Sequence, residues 1–256
     1  KIEPDKKSEA VSLAIGPMLK NRFMLAQTDQ GEKVTSTAMS PDGKYTLLRY
    51  FTRLDDQKTS WRYEIIGNQT GSVVARPSSF GGWMPKGCAY YFTRKTDDGY
   101  DLYRVAVPSN EEKLLAQGLP ESSFTWSPNE EYIVYYDQQK EDLGNSPLRR
   151  YASPDDRIKG NRNRYSLKLY DLRSGIEQPL TFGTKSASLQ DISRDGSKLL
   201  FLVNRETPTK YPFYAASLVQ LTLDGMRADT LIADNGYLSG ASYSPDAKTL
   251  MLLGSP

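Results

Sequence analysis

A short turn motif recurs along the chain between runs of apolar residues. Its second position falls at residues 41, 85, 128, 194 and 245, so the copies are 44, 43, 66 and 51 residues apart. Proline fixes the first φ, Asp or Asn can bond the nearby backbone, and Gly accepts positive φ, so each copy predicts a tight reversal. The copies are Ser40-Pro41-Asp42-Gly43-Lys44, Trp83-Met84-Pro85-Lys86-Gly87 (degenerate), Trp126-Ser127-Pro128-Asn129-Glu130, Ser193-Arg194-Asp195-Gly196-Ser197-Lys198 and Tyr243-Ser244-Pro245-Asp246-Ala247-Lys248.

A strand rich in aromatic and β-branched residues follows the motif, as at Tyr45–Tyr50, Tyr132–Tyr136 and Leu199–Val203. A second hairpin then completes the unit, for example with a turn at Asp224-Gly225. Two hairpins in about 43 residues match the period of a four-stranded propeller blade. The sequence therefore predicts an all-β fold, a β-propeller of four-stranded antiparallel blades. The expected blade anchors are Pro41, Asp42, Gly43, Trp83, Pro85, Trp126, Pro128, Asp195, Gly196, Pro245 and Asp246.

Five motifs predict an incomplete ring of about four and a half blades, with a motif at the beginning of each blade. Residues 1–256 are expected to be one propeller segment. Two accounts of the incomplete blade remain open. An N-terminal strand such as Arg22–Ala26 could complete it, or the chain could be a fragment of a longer protein, which we favour because most propellers have more than five blades.

The long interval between the third and fourth motifs indicates an insertion at residues 138–164. This polar segment carries more basic than acidic residues, and loops of such length in compact domains tend to be functional or disordered. If it joins two strands of one blade, it emerges on a propeller face. There its guanidinium groups could bind a substrate carboxylate or a neighbouring domain. The candidate contact residues are Arg149, Arg150, Asp155, Asp156 and Arg157; internal ion pairs within a surface loop are the alternative.

The chain contains no histidine, which excludes a Ser-His-Asp triad and histidine-bound zinc within it. No G-x-S-x-G nucleophile motif occurs either, so we expect no catalytic residues, metal or cofactor in this chain. The single Cys88 is interpreted as a buried, unreactive thiol. With 33 basic and 31 acidic residues, the composition predicts no nucleic-acid partner, and no apolar run is long enough to span a membrane.

The motif at Trp126-Ser127-Pro128-Asn129, followed by Tyr132–Asp137, resembles the propeller of the prolyl oligopeptidase and dipeptidyl peptidase IV family of serine peptidases. The segment from Tyr151 to Leu172 is similar to secreted bacterial members. The repeats themselves are shared with TolB-type propellers. The resemblance implies a catalytic α/β-hydrolase domain after residue 256, peptide substrates reached through that domain, and a periplasmic or secreted location.

In such enzymes the propeller gates access to the catalytic cavity, and this is the function that the resemblance implies here. Dipeptidyl peptidases of the family hold the substrate amino group with paired glutamates before a blade anchor. The segment Gln117–Phe124 carries no such pair, which puts dipeptidyl specificity in doubt. A stand-alone TolB-like propeller that binds proteins is the alternative function, and a homodimer is left open.

Adjacent carboxylates suggest a third function, a propeller glycosidase, because two carboxyl groups suffice for that chemistry. Neighbouring strand residues point to opposite faces, however, and most of these pairs lie in evident turns, so we interpret them as solvated turn residues. The pairs are Asp55-Asp56, Asp97-Asp98, Glu111-Glu112, Glu130-Glu131 and Asp155-Asp156. The aromatic residues Tyr50, Tyr91, Trp126 and Tyr135 are expected to pack between blades rather than to bind sugars.

Overall fold

A computed structural model describes residues 31–53, 59–87, 89–140, 163–183, 185–206 and 211–254. Within these ranges the regular structure is β-strand, apart from a single 3-10 turn at Asp224–Met226. The chain divides into two compact units. The first unit comprises Lys1–Met39 and Tyr45–Ser78, and the second comprises Ser40–Lys44 and Ser79–Pro256.

The first unit contains one antiparallel sheet whose strands are neighbours in chain order. Its strands are β1 (Glu32–Met39), β2 (Tyr45–Arg53), β3 (Thr59–Gly67) and β4 (Val73–Ala75). On one side of this sheet, Arg62 bridges Glu32 and Glu64, and Arg76 Nε donates to Glu64 at 2.9 Å. Burial raises the pKa of Glu64, but hydrogen bonds from Arg76, Arg62 and Tyr50 outweigh it, so the pKa lies below its ordinary value.

The second unit contains three four-stranded antiparallel sheets and one sheet of two strands, each again in chain order. Sheets are numbered along the whole chain, so β1–β4 form the first sheet. The second sheet consists of β5 (Gly82–Trp83), β6 (Ala89–Thr96), β7 (Gly99–Ala106) and β8 (Glu112–Leu119). The third consists of β9 (Phe124–Trp126), β10 (Tyr132–Gln139), β11 (Arg164–Asp171) and β12 (Glu177–Pro179); the fourth of β13 (Ala187–Ile192), β14 (Lys198–Glu206), β15 (Tyr214–Thr222) and β16 (Arg227–Asn235); and the fifth of β17 (Leu238–Tyr243) and β18 (Leu250–Gly254).

Successive sheets of the second unit pack face to face through shared apolar clusters. Strand β14 shows the arrangement: Leu199 and Phe201 join a cluster with the third sheet, whereas Leu200 and Leu202 join a cluster with the fifth. The strand is therefore apolar on both faces, which explains its continuous apolar sequence. Each such side chain contributes roughly 1.5–3 kcal/mol when fully buried. This is the stacking of propeller blades, and the predicted fold of about four and a half blades is confirmed.

The position of the motif within each blade differs from the expectation. The motif does not begin a blade but joins its first strand to its second, as between β9 and β10. The first strand of several blades is too short to be recognised in the sequence, since β5 has two residues and β9 has three. The expectation was wrong because the aromatic second strand gave the stronger signal. The same error affected the fifth sheet, for which only the strand after the motif was expected. The structure has a strand on each side of that motif.

Each motif is closed by one backbone hydrogen bond, and three of the five motifs add a bond from a serine hydroxyl to an aspartate. A backbone N–H donates to the carbonyl three residues earlier, as from Gly196 to Ser193 at 2.8 Å. The serine hydroxyl donates to the aspartate two residues later, and Ser193 Oγ lies 2.6 Å from Asp195 Oδ1. Ser193 Oγ also accepts from the N–H of Lys198 at 2.9 Å. Ser193 and Ser127 are fully buried, so the hydroxyl is an internal partner for turn amides that water cannot reach.

Consecutive motifs also contact one another, and glycine makes this contact possible. Gly87 has a φ of +82°, and a Cβ on it would lie 2.7 Å from the backbone nitrogen of Asp42 in the preceding motif. Gly196 has a φ of +75°, and a Cβ there would lie 2.6 Å from the side-chain amide of Asn129. Glycine is therefore required at both positions for its backbone freedom and for its lack of a side chain.

The insertion joins β10 to β11, the second and third strands of one blade. Its predicted boundaries, 138–164, are slightly too wide, because the β10–β11 ladder continues through the pairs Gln138–Tyr165 and Gln139–Arg164. The ends of these two strands could not be recognised in the sequence because their residues are polar. Most of the insertion lies outside the described residues.

Candidate functional site

The second unit has two faces with different chemistry. Because each sheet is an antiparallel meander, one face carries the turns between first and second strands and between third and fourth strands. We call this the turn face. The opposite face, the loop face, carries the connections between second and third strands and between successive sheets. The described ends of β10 and β11 that flank the insertion therefore lie on the loop face. The connections from β12 to β13 and from β16 to β17 belong to the same face.

The described ends of the insertion are held by hydrogen bonds and a ring contact. Tyr165 on β11 accepts a hydrogen bond at its hydroxyl from Gln138 Nε2 at 2.9 Å, and its N–H donates to Ser186 Oγ at 3.2 Å. Ser186 lies in the connection that leads into β13, residues 180–186. Tyr136 packs edge-on against Tyr165 with 6.4 Å between ring centroids, and its hydroxyl accepts from the N–H of Leu189 at 3.1 Å. The third and fourth sheets thus hold the point at which the insertion leaves the blade.

A charged network lies beneath this point. Lys168 Nζ lies 3.2 Å from Asp137 Oδ2 and 2.7 Å from Glu177 Oε1, and Glu177 also accepts from the buried hydroxyl of Tyr135. The hydrogen bond from Lys168, and then that from Tyr135, lower the pKa of Glu177, and the bond to Glu177 raises the pKa of Lys168. Burial and Glu177 raise the pKa of Tyr135. Lys168 is therefore cationic and Glu177 anionic at neutral pH, and their ion pair links β11 to β12.

A cleft of about 190 Å³ opens beside the network at the base of the insertion. Its lining includes the cations Arg164, Lys168 and Lys185, the aromatic residues Tyr165 and Phe182, and a single carboxylate, Asp137. The cleft is therefore suited to a small group that combines negative charge with apolar surface.

Exposed aromatic side chains are concentrated on the loop face. Phe182 is 80% exposed and Tyr211 is 84% exposed, and Tyr165, Phe213 and Tyr237 are also exposed. The rings of Tyr211 and Phe213 meet edge-on at 5.8 Å between centroids. Exposed aromatic surface of this kind is typical of contacts with proteins or peptides, because large rings contribute contact area at low cost in side-chain entropy.

The five sequence-predicted contact residues lie outside the described residues. They are Arg149, Arg150, Asp155, Asp156 and Arg157, and all of them belong to the insertion. Cys88 and the carboxylate pair Asp55-Asp56 also lie outside the described residues. The structure places the blade anchors on the turn face or in the strands next to it, as with Trp126 at the end of β9.

The remaining sequence candidates can be located. Asp97-Asp98 forms the two-residue turn between β6 and β7, and Glu130-Glu131 lies in the motif before β10, so the interpretation of both pairs as turn residues is confirmed. Trp126 and Tyr91 pack together with 5.2 Å between ring centroids in the cluster between the second and third sheets. Tyr135 is 1% exposed. Trp126 and Tyr135 are buried, and the partly buried Tyr91 packs against the cluster between the two sheets, in agreement with the prediction of packing between blades.

Across the ranges that the structure describes, no cluster of three or more His, Cys, Asp or Glu side chains is arranged to hold a metal ion. In the same ranges, no helix has the length and apolar character needed to cross a membrane.

Solved structures share this fold. The acylaminoacyl peptidase of Pyrococcus horikoshii matches with a TM-score of 0.57 and 12% identity, over 88% of this chain and 36% of that chain. Dipeptidyl peptidase 4 of Porphyromonas gingivalis matches with a TM-score of 0.51 and 12% identity, over 85% of this chain and 35% of that chain. The putative TolB of Agrobacterium tumefaciens matches with a TM-score of 0.44 and 17% identity, over 89% of this chain and 78% of that chain.

The two peptidase matches confirm the predicted resemblance at the level of the fold. At such low identity they carry no residue-level correspondence. The chain spans about a third of the length of each of the two peptidases. No family model and no curated protein matches the sequence.

Sequence reasoning missed the exposed aromatic residues on the loop face. The run Tyr211-Pro212-Phe213-Tyr214 leads into β15, which begins at Tyr214, and its aromatic content beside a proline was an available signal. The cleft beside Lys168 had no such signal, because its lining comes from strands and connections far apart in the sequence.

Proposed function

We propose that this chain is the substrate-gating propeller segment of a prolyl-oligopeptidase-like serine peptidase, and that it is not catalytic by itself. The observation that supports this most directly is the fold shared with two peptidases over at least 85% of this chain. Since the chain has no histidine, the nucleophile and its base would come from an α/β-hydrolase domain after residue 256 of the same protein. A periplasmic or secreted location is part of the proposal.

Gating would take place at the loop face. The insertion leaves this face between β10 and β11, beside the exposed rings of Tyr165 and Phe182. Peptides and unstructured chain ends would pass this surface on the way to the catalytic domain, whereas folded proteins would be excluded by size. Discrimination would therefore be steric and electrostatic rather than chemical.

The arginines of the insertion are proposed as contacts to a substrate carboxylate or to the neighbouring domain. Replacement of Arg149, Arg150 and Arg157 by alanine in the full-length protein tests this role. We expect a raised KM for peptide substrates, or weaker packing between the domains measured by limited proteolysis. Unchanged kinetics together with unchanged proteolysis would end this part of the proposal.

A stand-alone TolB-like propeller that binds proteins is the alternative function, since the exposed aromatic residues of the loop face are equally suited to a protein partner. A homodimer would be one form of such binding. The two functions differ in whether a hydrolase domain follows this segment.

The gene product that contains this segment provides the test. Treatment with a fluorophosphonate probe, which reacts with activated serines, should label the full-length protein, and hydrolysis of short chromogenic peptides should be inhibited in parallel. A matched chain comprising residues 1–256 should remain unlabelled. A stop codon soon after residue 256, or a full-length protein that is neither labelled nor able to hydrolyse peptides, would refute the peptidase function and favour the alternative.

A further inference from the structure

A second, larger cleft lies on the turn face, between the second and third sheets. Its volume is about 480 Å³, and it is separate from the loop face on which the proposed gate is located. The lining residues come from the motif turns and from neighbouring strand ends. They are Met84, Lys86, Arg104, Lys113, Leu115, Asn129, Glu130, Glu131, Asp171, Leu172 and Arg173.

Two cations are placed directly opposite each other in this cleft. Arg104 on β7 pairs with Lys113 on β8 in the antiparallel register, so both side chains lie on the same face of the second sheet. Like charges in directly opposite positions destabilise a strand pair. Among the residues that the structure describes, neither cation forms an ion pair that would offset this repulsion. The fold thus retains an unfavourable arrangement, and such arrangements are characteristic of binding sites.

The carboxylates that line the cleft already have other partners. Glu130 Oε1 accepts from the backbone N–H of Lys86 at 2.7 Å. Glu131 Oε2 accepts from Asn129 Nδ2 at 2.9 Å. Asp171 Oδ1 accepts from the N–H of Ser174 at 2.6 Å. Glu131 and Asp171 are therefore held by their own turns, and Glu130 is held by the preceding motif. Of the four cations that line the cleft, Arg173 lies 3.8 Å from Glu131, whereas Arg104 and Lys113 have no carboxylate partner within the described part of the chain.

The inner wall of the cleft is apolar. Met84 is 2% exposed and belongs to the core cluster between the two sheets, and the partly buried Leu115 and Leu172 pack against the same cluster. A ligand that reached this wall would gain roughly 25 cal/mol for each Å² of apolar surface removed from water.

We propose that this cleft binds an organic anion with an apolar body. The acidic group would lie between Arg104 and Lys113, where charge-assisted hydrogen bonds would offset the repulsion between them, and the apolar part would contact Met84, Leu115 and Leu172. This site is independent of the proposed peptidase function, because it involves the opposite face and none of the insertion. A volume of about 480 Å³ is within the range of small-molecule pockets.

The probe for the test is 8-anilino-1-naphthalenesulfonate, an anion with an aromatic body whose fluorescence rises on binding. Purified full chain is titrated with the probe, and 4-phenylbutyrate and inorganic phosphate are then added as competitors. We expect displacement by 4-phenylbutyrate and little by phosphate, because phosphate has no apolar body. Equal displacement by both would contradict the apolar part of the proposal.

The double variant Arg104→Gln/Lys113→Gln should bind the probe about tenfold more weakly or worse, as expected for the loss of charge-assisted contacts. The control Arg227→Gln/Lys248→Gln removes the same charge from exposed positions of the fourth and fifth sheets and should bind like the wild type. Unchanged affinity in the double variant would overturn the proposal, as would an equal loss in the control.

Stability provides a second readout that a structural role for the cations would not produce. Lys113→Glu places a carboxylate opposite Arg104, so the melting temperature of the unliganded protein should rise while probe binding is lost. A lower melting temperature for both Lys113→Glu and the double variant would show that the cations support the fold, and would overturn the proposal.

Discussion

The turn face and the loop face of the second unit lie at opposite ends of the same strands, but their connections differ in how regularly they repeat. On the turn face, each first-to-second connection repeats one short motif with the same backbone hydrogen bond, and serine-to-aspartate bonds of 2.6 Å are added at Ser193 and Ser244. On the loop face the connections differ in length and composition, and exposed aromatic rings such as Phe182 and Tyr211 occur there. Repetition therefore marks the residues that define the blades, and departures from it mark the candidates for function.

The largest effect is expected from a side chain placed between two consecutive motifs. Gly87→Ala forces a non-glycine residue to a φ of +82° and brings its Cβ within 2.7 Å of the Asp42 backbone. We expect a loss of roughly 3 kcal/mol in the free energy of unfolding, measured by urea denaturation. The control Gly225→Ala has a similar φ of +70° but meets nothing within 4 Å, so it should lose only about 1 kcal/mol. Equal losses would show that contact between motifs is unimportant.

The buried hydroxyl of the motif should give the next largest effect. Ser127 Oγ accepts from the N–H groups of Glu131 and Tyr132, each at 3.1 Å, and the residue is fully buried. Ser127→Ala leaves these donors without that partner, which should cost about 2 kcal/mol. Ser244→Ala removes the equivalent hydroxyl from a more exposed motif, where water can replace it, and should cost less than half as much. Thermal and urea denaturation of both variants would decide, and a larger loss at Ser244 would be inconsistent with this explanation.

Acid should weaken the motif through its aspartate. Hydrogen bonds from Ser193 and Ser197 lower the pKa of Asp195 to about 2 from its ordinary value of 3.8. Because the folded-state pKa is depressed, the stabilisation is fully present above about pH 4 and is lost as the pH falls toward 2. Asp195→Asn should therefore be less stable than wild type at pH 7, and the difference should shrink between pH 4 and pH 2. Unfolding curves across this range measure it, and Asp97→Asn, in an exposed hairpin turn, is the control.

The smallest effect on stability is expected on the loop face. Tyr211→Ser and Phe213→Ser alter exposed side chains, so the free energy of unfolding should change by less than about 0.5 kcal/mol. In the full-length protein the same changes should alter peptide KM, or partner affinity if the alternative function holds. A large loss of stability would instead make these rings part of the core and would remove the contrast between the two faces.

Most of the fold could be predicted because the motif acts through local chemistry. Proline, aspartate and glycine at fixed positions specify a reversal without help from the rest of the chain, and the runs at Tyr132–Tyr136 and Leu199–Val203 specify strands covered on both faces. The short first strands could not be predicted, since β5 and β9 are defined by pairing with their neighbours rather than by their own composition.

The sites were less accessible to sequence reasoning. The opposition of Arg104 and Lys113 depends on the exact register of β7 and β8, which contains two irregularities, so the spacing of the two residues alone does not reveal it. The same holds for Lys168, whose partners Asp137 and Glu177 come from different segments. Long-range register and packing determine these sites, and neither is encoded in a local pattern.

The glycines of the second and fourth motifs have a consequence for how this chain could be rearranged. Gly87 accommodates Asp42, and Gly196 accommodates Asn129, so at these two junctions one motif is fitted to a residue of the motif before it. A blade inserted at either junction would have to supply a glycine on its own motif and meet a short polar residue on the preceding one.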